Sequence, residues 1–119
     1  MTDADLEEYL RALGLTVESA QDPANNTYIV LRAFTIPTGP LAGQTCDIAI
    51  ARCGTIPYVF PPAIHTRPAL VPMNTAAPLA TQGSPLGADW QYWSRRFDRP
   101  PTPQAVWAHV LTIFGQVAA

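Results

Sequence analysis

The sequence has no lysine: its seven basic residues are all arginine. Only 13% of the chain is charged, and the formal net charge is −2. Non-specific nucleic-acid binding needs a basic face to neutralise phosphates, so this balance argues against it. No apolar run approaches the roughly 20 residues that a bilayer crossing requires, so no membrane partner is expected. The amino terminus is acidic and lacks a basic stretch leading into an apolar one, so a secretory signal is not expected and the chain reads as cytoplasmic. Cysteine is scarce. Cys46 and Cys53 are too few for a disulfide scaffold or a closed zinc site, and no metal or cofactor is expected. They lie an odd number of positions apart in one strand-like segment, which predicts opposite faces and no mutual disulfide. Both are expected to be buried, reduced thiols. Asn25-Asn26-Thr27 matches a glycosylation sequon, which carries no weight without a signal peptide.

What is present suits one compact unit. A chain of 119 residues, 48% of them hydrophobic, is long enough for a single domain spanning 1–119 with a real core. Leu6, Tyr9, Leu10 and Leu13 recur at helical spacing and predict an N-terminal amphipathic helix. Thr2 and Asp5 fit a capping box at its start, and Gly14 is placed to end it in a left-handed conformation. Four short strands are predicted next: 15–19, 27–34, 44–52 and 63–70. Turn-forming residues separate them at 21–26 and 37–43. In the third strand Cys46, Ile48 and Ile50 share one face. Residues 71–89 are rich in Pro, Gly, Ala, Ser and Thr without periodicity and predict a long loop, a feature that is often functional in compact domains. Residues 90–97 are dense in aromatics and arginine. A closing helix follows, with Thr102 as cap and Pro103 in its first turn. Its apolar face comprises Val106, Trp107, Val110, Leu111, Phe114 and Val117. The expected class is α+β: an N-terminal helix, a four-stranded antiparallel meander, a long active-site-like loop and a C-terminal helix.

Three motifs in this order carry a resemblance. Gly39-Pro40-Leu41-Ala42-Gly43 leads into a strand. Ile56-Pro57-Tyr58-Val59-Phe60-Pro61-Pro62 forms a proline-rich break. Trp90-Gln91-Tyr92-Trp93-Ser94-Arg95-Arg96 precedes a proline-rich connector and a helix. Together they resemble prokaryotic family E of the ubiquitin-conjugating-enzyme-like superfamily, with Arg96 where that group has histidine. The likeness covers nearly the whole chain. It implies a bacterial pathway in which an activating enzyme loads a ubiquitin-like modifier and passes it to a conjugating protein, with a JAB-type or other peptidase as a further partner. Phage defence is one setting such pathways suggest.

Conjugating enzymes carry the modifier as a thioester on a nucleophilic cysteine, with an asparagine as candidate stabiliser of the oxyanion. Counted from Pro61-Pro62, Asn74 stands at the asparagine position the resemblance implies. The histidine expected before it is absent, and no cysteine follows it. Two serines remain as carriers of an oxyester: Ser84, spaced suitably between Asn74 and Trp93, and Ser94, within the Trp-Ser-Arg motif. A serine needs a base to act near neutral pH. His65 and His109 are the only histidines, and the sequence does not place either beside a serine. The resemblance makes the N-terminal helix, through Glu7, Glu8 and Arg11, the expected docking face for the activating enzyme. Arg95 and Arg96 are candidate contacts to an acidic partner surface or the modifier's tail. Two functions follow: a transferase that carries the modifier on serine, or an inactive adaptor that binds the activating enzyme or modifier without a covalent bond.

Overall fold

A computed structural model of the chain describes residues 1–54, 63–72, 81–95 and 102–115. Helix α1 (Asp3–Ala12) opens on the anticipated capping box, with Thr2 Oγ1 accepting from the Asp5 amide and the Asp5 carboxylate accepting from the Thr2 amide. It closes through Gly14, at φ +85°. The Gly14 amide donates to the Arg11 carbonyl and the Leu15 amide to that of Leu10, which satisfies two carbonyls that the helix end would otherwise strand. Leu6 and Leu10 are buried and Tyr9 packs beside them. Leu13, assigned to the same stripe from its spacing, is 47% exposed because it is already the C-cap, where the helix gives way to the turn.

Among the described residues, six strands form one antiparallel sheet in the order β1-β2-β3-β4-β6-β5. They are β1 (Thr16–Gln21), β2 (Thr27–Thr35), β3 (Thr45–Ala51), β4 (Ala63–Arg67), β5 (Thr81–Ser84) and β6 (Gly87–Ser94). The first four are the expected meander. The expectation of four strands is corrected by two more: the stretch read as a structureless loop contains β5, and β6 runs from its end through the aromatic-rich segment. β5 is Thr-Gln-Gly-Ser, with little of the β-branched and aromatic content that marks a strand in sequence. It is held instead by its pairing with β6, from Thr81 opposite Trp93 to Gly83 opposite Gln91. The remainder of that stretch, 73–80, lies outside the described residues.

Helix α2 (Pro103–Ile113) is capped by Thr102, whose hydroxyl accepts from the Ala105 amide at 3.2 Å. Both helices lie against one face of the sheet. Their Leu6, Leu10, Val106, Val110 and Ile113 join Ile29, Leu31, Ile48, Ile50, Ile64 and Trp93 in the main core. Trp93 is fully buried, and its indole N–H donates to Thr66 Oγ1 at 2.9 Å, which gives the buried donor its partner. Gln91, also fully buried, uses its side chain to hold the amides of Leu70 and Val71 and the carbonyl of Val71. Val117, included in the α2 face from sequence, lies outside the described residues.

The other sheet face meets no helix among the described residues. Tyr28, Val30, Ala49 and Trp90 cluster there, with Leu86 from the β5–β6 turn packed over them. β2 supplies both cores because its side chains alternate, Ile29 and Leu31 one way, Tyr28 and Val30 the other. A bulge interrupts β2 between Leu31 and Phe34. Ala33 sits there at φ +51°, and its amide donates to Asp47 Oδ1 at 2.8 Å. That charge-assisted bond offsets the strain of a left-handed alanine.

Candidate functional site

The face that meets no helix among the described residues is where the chemistry gathers. β4 is central, and alternation along it sends His65 away from the helices, opposite Ala49 on β3 and Tyr92 on β6. The ring is 4% exposed. Tyr28 and Tyr92 meet it edge-on, each with centroids 5.2 Å away. At the sheet edge the register between β5 and β6 shifts between Gly83 and Ser84. Extra residues on one strand bend a hairpin, and here the tip turns over the sheet. Leu86 thereby reaches the second core, and Ser84 Oγ comes to 2.7 Å from His65 Nδ1.

Ser84 Oγ also accepts from the Leu86 amide at 3.1 Å, a serine turn of the kind its sequence favours. The same hydroxyl can donate to Nδ1 in the tautomer of His65 that carries its proton on Nε2, the arrangement in which the ring acts as a base toward Ser84. Burial holds the ring neutral. It pushes the His65 pKa down to about 4, against a weaker upward pull from Asp22. Neutral imidazole is therefore the form present at pH 7. It accepts a proton, though with less driving force than a histidine poised near neutrality.

Asp22 stands behind this pair in the β1–β2 turn. It accepts from the amides of Ala24 and Asn26, from Asn26 Nδ2, and from Tyr28 Oη at 2.8 Å. Burial pushes its carboxyl up, but those hydrogen bonds together outweigh burial and hold it below the usual range. In return, burial and the Asp22 bond push the Tyr28 phenol up to about 12. Tyr28 is thus fixed as a donor to Asp22 while its ring edge braces His65. A cavity of about 470 Å³ opens beside the pair. Asn25, Asn26, Arg52, Tyr28, His65 and Tyr92 contribute to its walls, with Pro85 at the hairpin tip. Its size lies within the range of small-ligand sites.

The other sequence candidates fall in different places. Ser94 ends β6 opposite Ala63, with its carbonyl accepting from Arg95 Nη1 at 2.9 Å; among the described residues its hydroxyl makes no hydrogen bond to a histidine comparable to that of Ser84. Asn74 and Arg96 lie outside the described residues. Arg95, expected at a partner surface, is 4% exposed, with its guanidinium 5.4 Å from the Trp93 ring centroid. A neighbouring buried tryptophan draws it inward, so an exposed contact role does not fit it. His109 is buried on α2, where burial lowers its pKa against the opposing effect of the bond its ring donates to the Arg95 backbone. Glu7 is tied to Arg52, which also donates to Ser19 Oγ at 2.7 Å; Glu8 and Arg11 are exposed.

Cys46 lies in the main core on β3, and burial pushes its thiol up to about 12, the reverse of what a nucleophilic cysteine needs. Cys53 lies past the end of β3, with its amide donating to Asp3. It packs against the same core as Cys46. The expected opposite faces assumed one continuous strand, and the strand stops at Ala51. No disulfide joins the two. Among the described residues, no group of three or more His, Cys, Asp or Glu is arranged to hold a metal ion, and no helix is long and apolar enough to cross a membrane.

The proximity of His65 and Ser84 was not legible in the sequence. The nearest signal was the alternation after Gly83-Ser84-Pro85-Leu86-Gly87, where a turn is followed by Trp90, Tyr92 and Ser94 on one side and Gln91 and Trp93 on the other. Residues 1–118 match the family model described as prokaryotic E2 family E, and the chain belongs to that family. The α+β fold with a helix at each end is accordingly of the ubiquitin-conjugating type, with six strands in place of four. No curated protein and no solved structure matches the chain.

Proposed function

We propose that this member of prokaryotic E2 family E receives a ubiquitin-like modifier from an activating enzyme as an oxyester on Ser84 and passes it to a target. The hydrogen bond between Ser84 Oγ and His65 Nδ1, at 2.7 Å, carries the reading. In the transfer, Ser84 Oγ adds to the thioester carbonyl at the modifier's C-terminus and gives its proton to His65. The carbon–sulfur bond breaks, and the departing thiolate takes that proton. An oxyester is less reactive than a thioester, and the depressed basicity of His65 slows acylation further, so modest rates are expected. The absence of lysine leaves such an enzyme without side-chain amines of its own to modify; self-modification is expected at the amino terminus or nowhere, which peptide mapping checks.

The test is intact-mass spectrometry of the protein with activating enzyme, ATP and modifier. An adduct that resists thiol and yields to hydroxide is expected. It should vanish in Ser84→Ala and persist in Ser94→Ala. An adduct indifferent to Ser84→Ala sinks the assignment. Two observations favour a second reading, a non-covalent adaptor: the main-core thiol Cys46 is pushed away from thiolate formation, and the base beside Ser84 is weak. In that case no adduct forms, and the protein co-purifies with activating enzyme or modifier through α1.

A further inference from the structure

The site holds more than a proton acceptor and a hydroxyl. Beside it lies a cavity of about 470 Å³ whose walls include both His65, the partner of Ser84, and Pro85, its chain neighbour. Ala51, Ala63 and the rings of Tyr28 and Tyr92 give it apolar surface, while Asn25, Asn26 and Arg52 give it a polar side. The arginine charge is already met by Glu7, so the cavity does not call for an anion. A modifier arriving as a folded protein would place little more than its last residues here, and nothing in these walls demands a peptide. A short neutral acyl group suits them as well.

We propose that the Ser84–His65 pair is also an esterase centre, which hydrolyses esters of short uncharged acids with the acyl chain seated between Ala51, Ala63 and Tyr92. The inference rests on Ser84 being a nucleophile, as in the transfer reading, but needs no activating enzyme or modifier. Ser84 Oγ adds to the ester carbonyl and its proton passes to His65 Nδ1. The bond to the leaving oxygen breaks, and the alcohol departs with that proton. Water then adds to the acyl-serine, giving a proton to His65. Ser84 Oγ is expelled and recovers it. One ester and one water are consumed, and one acid and one alcohol are released.

The experiment uses the intact chain with p-nitrophenyl acetate and p-nitrophenyl butyrate. The sequence favours a clean result, since there is no lysine to acylate and there are only two histidines. A burst of p-nitrophenol near one equivalent per chain is expected, followed by slower turnover. Peptide mapping of the quenched wild-type protein should place the acyl group on Ser84, a readout that does not depend on any variant folding. Ser84→Ala should lose the burst and Ser94→Ala should keep it. Ala51→Leu, which fills the cavity wall, should cut the preference for butyrate over acetate about tenfold, the discrimination that a methylene or two commands in an apolar pocket. Acylation mapped elsewhere, or a burst that survives Ser84→Ala, overturns the proposal. A protein that forms the modifier adduct on Ser84 but shows no burst overturns the esterase alone. A burst at Ser84 without any modifier adduct supports the esterase and removes the transfer reading.

Discussion

Replacing His65 with phenylalanine separates the titration of this ring from its packing. Phenylalanine retains edges for Tyr28 and Tyr92, both 5.2 Å from the present ring centroid, and gives up only the bond to Ser84, about 1 kcal/mol at neutral pH. The pH dependence is the larger effect. Burial holds the native pKa at about 4, while the unfolded chain returns it to 6.5. The unfolded state therefore binds more protons between those values, and stability rises with pH across that window. Its contribution is complete above pH 6.5 and is lost as pH falls toward 4. The loss from this ring between pH 8 and pH 5 comes to about 2 kcal/mol. The value of about 4 already includes the upward pull of Asp22. Burial lowers the His109 pKa as well, but that slope is common to both proteins and cancels in the difference. Urea unfolding followed by tryptophan fluorescence at pH 8, 6.5 and 5 measures it. The wild type should lose about 2 kcal/mol more than His65→Phe over that range. Equal losses would mean that His65 is not desolvated, and the account of a neutral, buried base would fall.

Three further outcomes follow from the packing. Thiol reagents should leave Cys46 untouched in the folded protein and reach it only on unfolding, because burial pushes its thiol up to about 12; rapid native labelling at Cys46 contradicts that burial. Thr66→Val should cost about 1–3 kcal/mol by leaving the Trp93 indole N–H buried without its acceptor. Combining it with Trp93→Phe should cost less than the two losses together, and strict additivity in denaturant titrations would show that the bond contributes nothing. Charge reversal of the exposed Glu8 and Arg11 should weaken co-purification with the activating enzyme while moving stability by less than about 0.5 kcal/mol. Glu7→Lys should lower both, since Glu7 also holds Arg52. Undiminished binding in all three variants removes α1 as the docking face.

Local signals were enough to read α1, the first four strands, α2 and both helix caps from the sequence. Each depends on residues near one another in the chain: Thr2 with Asp5, Gly14 after the last helical turn, Thr102 before Pro103, and alternation through Cys46, Ile48 and Ile50. Family membership was legible for the same reason, since its motifs are short and ordered along the chain. What the sequence withheld depends on distant partners. β5 is a strand because β6 pairs with it, not because Thr-Gln-Gly-Ser prefers to be one. Arg95 is buried because Trp93 and its surroundings enclose it. The serine question narrowed only in three dimensions. The residues fixed which hydroxyls and imidazoles were available, but a register shift at Gly83–Ser84 decided that the hairpin tip bends over the sheet, bringing Ser84 to a histidine 19 positions away. A bend of that kind is a balance of pairing and side-chain packing across three strands, and no single stretch of sequence contains it.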